Sequence, residues 1–226
     1  MSFVLNSMPL IALAIIPAVG WILVYRYLDY RDPEPVSPTT RAIQMGVFST
    51  LPIFAMQYSF SHYPQTNIFS FLQTSIQNPI LFSIAFLLFV ALVEELAKAL
   101  SFLFLIRHQE RFFNQIVDGI VYGALIGIGF GIAENIYYFA KAVEVFEYTE
   151  NFWAIFTIRS FGTMLAHTLF SGIFGFYFAK AYFAPFVDEE SKQEKLWHNF
   201  RHNFTMAIRF HATFFHLLPG YQKDPS

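Results

Sequence analysis

Long apolar segments recur along this chain and limit the folds that it can adopt. A helix needs about 20 apolar residues to cross the hydrocarbon core of a bilayer, and five segments reach that length. The composition agrees, because 55% of the residues are hydrophobic and only 13% are charged. The sequence therefore predicts an all-α, polytopic transmembrane helix bundle of about six spans, in a single integral-membrane domain over residues 1–226. The five strong segments and a weaker sixth lie near residues 3–25, 42–60, 79–106, 117–140, 152–183 and 203–218.

The basic residues between these segments indicate how the chain crosses the membrane. Lysine and arginine collect in cytoplasmic connections. Here they occupy the first, third and fifth connections, whereas the second has none and the fourth has only Lys141. We therefore expect both termini to lie outside. The first segment has no basic stretch before it and exceeds the ~7–15-residue core of a signal peptide, so we expect a retained anchor. The basic residues of the odd connections are Arg26, Arg31, Arg41, Arg107, Arg111, Lys180, Lys192, Lys195 and Arg201.

The third segment carries charged residues where they are hardest to solvate. Its stretch VEELAKAL places Glu94, Glu95 and Lys98 in the middle of an apolar run. Ionisable groups at this depth are costly unless they pair or face water. Glu94 and Lys98 lie four residues apart, a spacing that predicts an ion pair along one helix face. Such a pair has two interpretations, a structural contact that fixes helix packing or part of a site where a carboxylate acts as general base or acid.

The fourth segment combines a glycine ridge with a carboxylate. Glycines recur every fourth residue from Gly119 to Gly131, and Glu134 and Asn135 follow. Small residues at this spacing let two membrane helices approach closely. The alternative interpretation as a nucleotide-binding loop fails, because no strand and turn precede the glycines. We expect Glu134 to project toward a neighbouring helix, where the alternative to a catalytic role is a structural hydrogen bond.

The last two segments add histidines to this set. Arg159, Thr163, His167 and Ser171 follow one another at intervals of four residues and form one polar stripe, which we expect to face protein or water. His211 lies near the middle of the sixth segment. A lone buried histidine is more often a satisfied core group than a catalyst, but this alignment favours a polar site in the bundle interior. A rise of 1.5 Å per residue gives His167 and the buried glutamates similar depths.

Missing residue types exclude several classes of protein. The chain has no cysteine, which excludes disulfides, thiolate metal ligands and a cysteine nucleophile. No basic patch or stripe is visible and the formal net charge is -2, so we expect no nucleic-acid partner. The HExxH zinc motif and the serine nucleophile elbow are also absent from the sequence.

Four motifs resemble, in the same order, those of the PrsW family of intramembrane proteases. That family belongs to a larger group with the CAAX prenyl endopeptidases and bacteriocin-processing relatives. The motifs are EELAK, FGIAEN, HTLFS and HATFF, which begin at Glu94, Phe130, His167 and His211. The stretch DYRDPEP after the first segment is also similar, so the resemblance covers roughly residues 10–216. It implies a helix bundle around a polar cavity, a bacterial cell (inner) membrane location, and cleavage of membrane-anchored protein substrates such as anti-sigma factors.

The resemblance also implies roles for individual residues. We expect Glu94, assisted by Glu95 or Glu134, to take a proton from the attacking water, while His211 with His167 stabilises the oxyanion and protonates the leaving amine. Two positions depart from the wider group, which usually has histidine at Glu134 and often has asparagine at Phe215. The predicted supporting residues, which include members of the polar stripe, are Lys98, Asn135, Arg159 and Ser171.

We expect this site to work without a cofactor or metal ion. Its candidate ligands come one per segment, and the charge of Lys98 would repel a dication near Glu94. The alternative is zinc at the Glu/His cluster, since PrsW proteins are often classed as metalloproteases and these residue types are acceptable zinc ligands.

Two other functions fit parts of the pattern. An ion- or proton-coupled transporter also places ionisable residues inside the membrane, but no inverted repeat is visible in the sequence. A catalytically inactive scaffold would tolerate substitution of the site residues.

Overall fold

Every regular element in the described part of the chain is a helix. The computed structural model describes residues 2–28, 30, 33–63, 67–184, 201 and 205. A short 3-10 turn, Glu110–Phe112, precedes α6, and a π-helical turn, Ile158–Thr163, joins α7 to α8 without a break. The helices are α1 (Ser2–Leu28), α2 (Val36–Phe48), α3 (Leu51–His62), α4 (Ile68–Ser75), α5 (Pro79–His108), α6 (Ile116–Phe146), α7 (Glu150–Thr157) and α8 (Met164–Tyr182).

Four helical stretches in the described ranges are long and apolar enough to cross a membrane. They are Met8–Tyr27, Pro79–His108, Ile116–Phe146 and Glu150–Tyr182. One face of α5 also turns a row of apolar side chains outward, as contact with lipid requires. These findings confirm the predicted helical membrane bundle. The outward row consists of Ile80, Ile84, Leu88, Leu92, Leu96, Leu100 and Phe104.

The second apolar segment, near 42–60, differs from the single helix that we expected. It is divided between α2 and α3, which are 13 and 12 residues long. The break follows from Pro52 in the first turn of α3, because proline lacks an N–H and clashes with the preceding helical turn. At the break, the Ser49 hydroxyl donates to the Gly46 carbonyl at 2.6 Å. The sixth segment, near 203–218, lies outside the described residues apart from position 205.

Helix α6 lies at the centre of the bundle and packs most extensively against α8. The glycine ridge makes this contact. A Cβ atom added at Gly119, Gly123 or Gly127 would lie 2.2–2.4 Å from a carbonyl oxygen of α8, so the two backbones touch. On another face, a Cβ at Gly129 would lie 2.1 Å from the Ile43 carbonyl oxygen of α2. The predicted close approach of two helices at the ridge is confirmed.

Polar contacts stabilise the start of α6, the helix that carries Glu134. The Asp118 carboxylate accepts hydrogen bonds from the backbone N–H groups of Asn114 and Gln115 at 2.7 and 2.8 Å. This satisfies backbone donors at the helix start. The Tyr122 hydroxyl donates to the Glu34 carboxylate, which ties the connection between α1 and α2 to α6.

Candidate active site

Helix α5 places its three central charged residues in the bundle interior. Glu94, Glu95 and Lys98 are 3%, 4% and 2% exposed. Lys98 Nζ donates a hydrogen bond to Glu95 Oε1 at 2.5 Å. The salt bridge that the structure shows therefore joins Lys98 to Glu95, three residues away, whereas we predicted Glu94. Both spacings place two side chains on one helix face, and the flexible lysine stem allows its ammonium group to reach either carboxylate.

His167 on α8 connects Lys98 to Glu134 on α6. Its Nδ1 lies 3.4 Å from Lys98 Nζ, and its Nε2 lies 3.1 Å from Glu134 Oε2. An ammonium group only donates hydrogen bonds, whereas an ionised carboxylate only accepts them. If Lys98 and Glu134 are both charged, the tautomer that satisfies the two contacts has its proton on Nε2 and accepts from Lys98 at Nδ1. Both ring nitrogens of this fully buried side chain are engaged.

Arg159 binds the two polar residues that end the FGIAEN motif. Its Nη2 donates to Glu134 Oε2 at 2.7 Å, and its Nε donates to Asn135 Oδ1 at 3.0 Å. The guanidinium carbon also lies 3.9 Å from the centre of the Tyr138 ring, in a cation–π contact. Arg159 belongs to the π-helical turn, an element that occurs frequently at functional sites.

These contacts form one continuous polar network across three helical segments. It runs from Glu95 through Lys98, His167 and Glu134 to Arg159. Every member is buried, and each cation lies against a carboxylate, which is the arrangement that makes charges tolerable inside a membrane. Of the predicted site residues, the network brings together Glu95 and Lys98 of the third segment, Glu134 and Asn135 of the fourth, and Arg159 and His167 of the fifth. These contacts do not include Glu94 or Ser171.

Two aromatic residues of this site were not singled out from the sequence. Phe130 lies with its ring centre 4.9 Å from Lys98 Nζ and 5.0 Å from the centre of the His167 ring. Tyr138 stacks on Arg159. Both lie four residues from Glu134, before and after it, and this spacing on one helix face is the signal that could have identified them.

A small cavity lies beside the Glu95–Lys98 pair. Its volume is about 10 Å³, which corresponds to space for about one water molecule. The hydroxyl-bearing residue in its wall is Ser171, the last member of the predicted polar stripe. The lining residues are Glu95, Lys98, Ala99, Phe102, Gly123, Ile126, Ser171 and Phe174.

One predicted catalytic residue, His211, is not among those that the structure describes. Its role stays a prediction. Thr163, the remaining member of the polar stripe, is buried at the end of the π-helical turn.

Two comparisons with known proteins found matches to this chain. The family model described as "PrsW family intramembrane metalloprotease" matches residues 34–219. A Protease PrsW of Geobacillus kaustophilus is 33% identical over 194 residues, which cover 84% of this chain and 73% of the relative. A Protease PrsW of Oceanobacillus iheyensis is 31% identical over 76% of this chain and 69% of the relative. The Bacillus subtilis Protease PrsW is 30% identical, with 77% and 70% covered. No solved structure matches the chain.

The description of the matched family raises the question of whether these residues fit a metal ion. Glu134 Oε2 is already bound by a guanidinium group and an imidazole N–H, and Glu95 by an ammonium group. Both cations would repel a dication. In the ranges that the structure describes, no group of three histidine, aspartate or glutamate side chains is arranged to hold a metal. The described donors, as arranged, do not fit a metal centre.

Proposed function

The chain belongs to the PrsW family of intramembrane proteases, and from this premise we propose that it cleaves membrane-anchored proteins with a water molecule activated by a buried glutamate. The family match favours proteolysis over the transporter alternative. The observation that carries the chemical proposal is the buried network that joins the EELAK, FGIAEN and HTLFS motifs. It places carboxylates and their counter-ions at one site in the bundle, as general acid–base chemistry requires.

In this proposal Glu94, assisted by Glu95, takes a proton from water as the water oxygen attacks the scissile carbonyl carbon. The C–N bond then breaks, and the leaving amine accepts a proton. We assign the stabilisation of the oxyanion and the protonation of the amine to His211. The contacts of His167 favour a modified role, because both of its nitrogens are engaged. It would hold Lys98 and Glu134 at fixed positions instead of binding the oxyanion directly.

The proposal extends to the cofactor, the location and the orientation. The described donors are not arranged as metal ligands, and this supports a reaction without a bound metal ion. The resemblance to PrsW proteins supports an inner-membrane location. The distribution of lysine and arginine supports both termini outside and the first, third and fifth connections in the cytoplasm. The substrates would be single-pass proteins of the same membrane, of which anti-sigma factors are one class.

The decisive experiment compares cleavage of tagged single-pass membrane proteins by the wild type and by Glu94→Gln. The substitution removes a carboxylate while it keeps the shape of the side chain, so Glu94→Gln should lose cleavage at unchanged protein abundance. His211→Ala should do the same. If both variants cleave an authentic substrate at the wild-type rate, the assigned residues are wrong.

A further inference from the structure

A side chain of the first helix contacts the backbone of the π-helical turn that carries Arg159. Trp21 of α1 donates a hydrogen bond from its indole Nε1–H to the Ser160 carbonyl oxygen at 3.2 Å. Ser160 is fully buried and directly follows Arg159 in the chain. The proposed reaction uses no residue of α1, and the family model begins to match at residue 34, after this helix. Trp21 therefore lies outside both the site motifs and the matched region.

The face of α1 that meets the bundle includes Trp21. Residues on this face recur every three or four positions, the spacing of one side of a helix, and they are Ala14, Ala18, Trp21 and Tyr25. Ala14 and Ala18 are fully buried, and Tyr25 is 8% exposed. Trp21 packs against the same hydrophobic core as Ala18. This packing orients the indole ring and thereby fixes the direction of its N–H group.

The π-helical turn is bound from two sides by other helices. π-Helices are rare and occur mostly as single turns inside α-helices, so contacts from outside the turn are needed to favour it. Arg159 binds Glu134 and Asn135 of α6 through its side chain. The Ser160 carbonyl binds Trp21 of α1, and its oxygen has two lone pairs, so it can accept from the indole in addition to a helix N–H. One contact thus holds the side chain of the turn, and the other holds its backbone.

The backbone contact lies one residue from the arginine that the network depends on. Arg159 Nη2 donates to Glu134 Oε2 at 2.7 Å, and this contact requires that the turn directs the side chain toward α6. His167 Nε2 lies 3.1 Å from the same carboxylate oxygen. A displacement of the turn would therefore disturb the contacts of Glu134 with both partners.

We propose that Trp21 is a positioning residue, whose indole N–H holds the Ser160 carbonyl and with it the π-helical turn, so that Arg159 is directed at Glu134. This role rests on the proposed protease function, in which Glu134 belongs to the active-site network. Trp21 touches neither substrate nor reacting atoms and acts through Arg159. The first helix then supports the active site in addition to crossing the membrane.

Three variants test the positioning role in purified enzyme with a tagged substrate that the wild type cleaves. Trp21→Phe removes the N–H donor but keeps an aromatic ring, and it should lower kcat about tenfold with KM unchanged. Site-specific replacement of Trp21 by benzothienylalanine should do the same, because sulfur takes the place of the N–H group while the shape of the ring is kept. Tyr25→Phe is the matched control. It removes a hydrogen bond from the same face of α1 to Thr168 of α8, outside the π-helical turn, and its kcat should equal that of the wild type.

The Nε–H group of Arg159 reports on the same role without any substrate. It donates to Asn135 Oδ1 at 3.0 Å, and a buried hydrogen-bonded group exchanges slowly with water. Its NMR signal, in enzyme with isotope-labelled arginine, is assigned by its absence from the spectrum of Arg159→Lys. Exchange of this proton should be about tenfold faster in both Trp21 variants and unchanged in Tyr25→Phe.

The two measurements separate the possible outcomes. Wild-type kcat in both Trp21 variants overturns the positioning role, and so does an equal loss of kcat in Tyr25→Phe. A lowered kcat with unchanged exchange at Arg159 overturns the action through Arg159. If Trp21→Phe fails to accumulate, the benzothienylalanine variant decides. A wild type that cleaves nothing overturns the proposed function and the positioning role with it, while the exchange rate still decides whether Trp21 supports the turn.

Discussion

At the scale of single residues, the network consists of two cation–carboxylate pairs joined by the His167 imidazole. The sequence identified the members of this network, because charged residues inside apolar segments stand out. It did not identify the partners. Lys98 can reach either glutamate of the EELAK motif, and in the structure it binds Glu95 and also contacts His167 of α8. The spacing of residues along one helix cannot predict a contact that depends on the position of a second helix.

The Glu95–Lys98 pair predicts a non-additive effect on stability. Glu95→Gln should lower the free energy of unfolding by about 3–5 kcal/mol, because it leaves a buried ammonium group without its counter-ion. Adding Lys98→Met should restore most of this loss. Thermal unfolding in detergent measures both effects. The control is Glu144→Gln, which breaks the exposed Lys141–Glu144 pair and should leave stability unchanged. Equal stability of wild type and Glu95→Gln would contradict the buried pair.

At the scale of helices, the α6–α8 contact is the element that brings the polar side chains together. The sequence predicted it well, because glycines at intervals of four residues in a membrane segment are typical of two helices in close contact. The break between α2 and α3 was less visible, although Pro52 is a signal for it. The π-helical turn had no signal in the apolar pattern, because one extra residue in a turn leaves the local composition unchanged.

The glycine ridge predicts a position-specific effect of alanine. Gly119→Ala should destabilise the protein by about 1–3 kcal/mol, because its Cβ would lie 2.3 Å from the Gly175 carbonyl oxygen. Gly172→Ala is the matched control at the same helix pair, since the nearest atom to its Cβ would lie 3.5 Å away, an ordinary contact. Thermal unfolding in detergent should separate the two variants. Similar melting temperatures would contradict the described helix contact.

At the scale of the whole molecule, the helices form a bundle whose outer surface suits lipid and whose interior carries the charges. The apolar segments, and the charged residues placed within them, predicted this division. The sequence could not predict how far the polar residues of different segments lie from one another in the bundle, because that depends on long-range packing between helices. The comparisons add the family and its protease activity, whereas the orientation in the membrane stays a prediction.

The orientation can be tested with single cysteines, because the chain has none of its own. Cysteines at the exposed positions Gln77 and Glu147 should react with a membrane-impermeant thiol reagent in intact cells. A cysteine at the exposed position Glu110 should react only after the membrane is opened. The reverse labelling pattern would show that the termini lie in the cytoplasm.

Metal independence is tested on the purified protein. After treatment with a chelator, the enzyme should keep its activity, because the Glu95 and Glu134 carboxylates are bound by Lys98 and Arg159. Elemental analysis should find no stoichiometric metal. Loss of activity that added zinc restores would replace the glutamate mechanism with that of a metallopeptidase.

The π-helical turn makes the site sensitive to the length of the chain as well as to its chemistry. Each residue of an α-helix turns the chain by about 100°, and the turn Ile158–Thr163 holds an extra residue between α7 and α8. Deletion of one residue among 160–163 would let the whole stretch become a regular α-helix. Everything before the deletion would then rotate relative to His167, and Arg159 would no longer face Glu134. An in-frame deletion of one codon would thus abolish activity, although every polar side chain of the site would still be encoded.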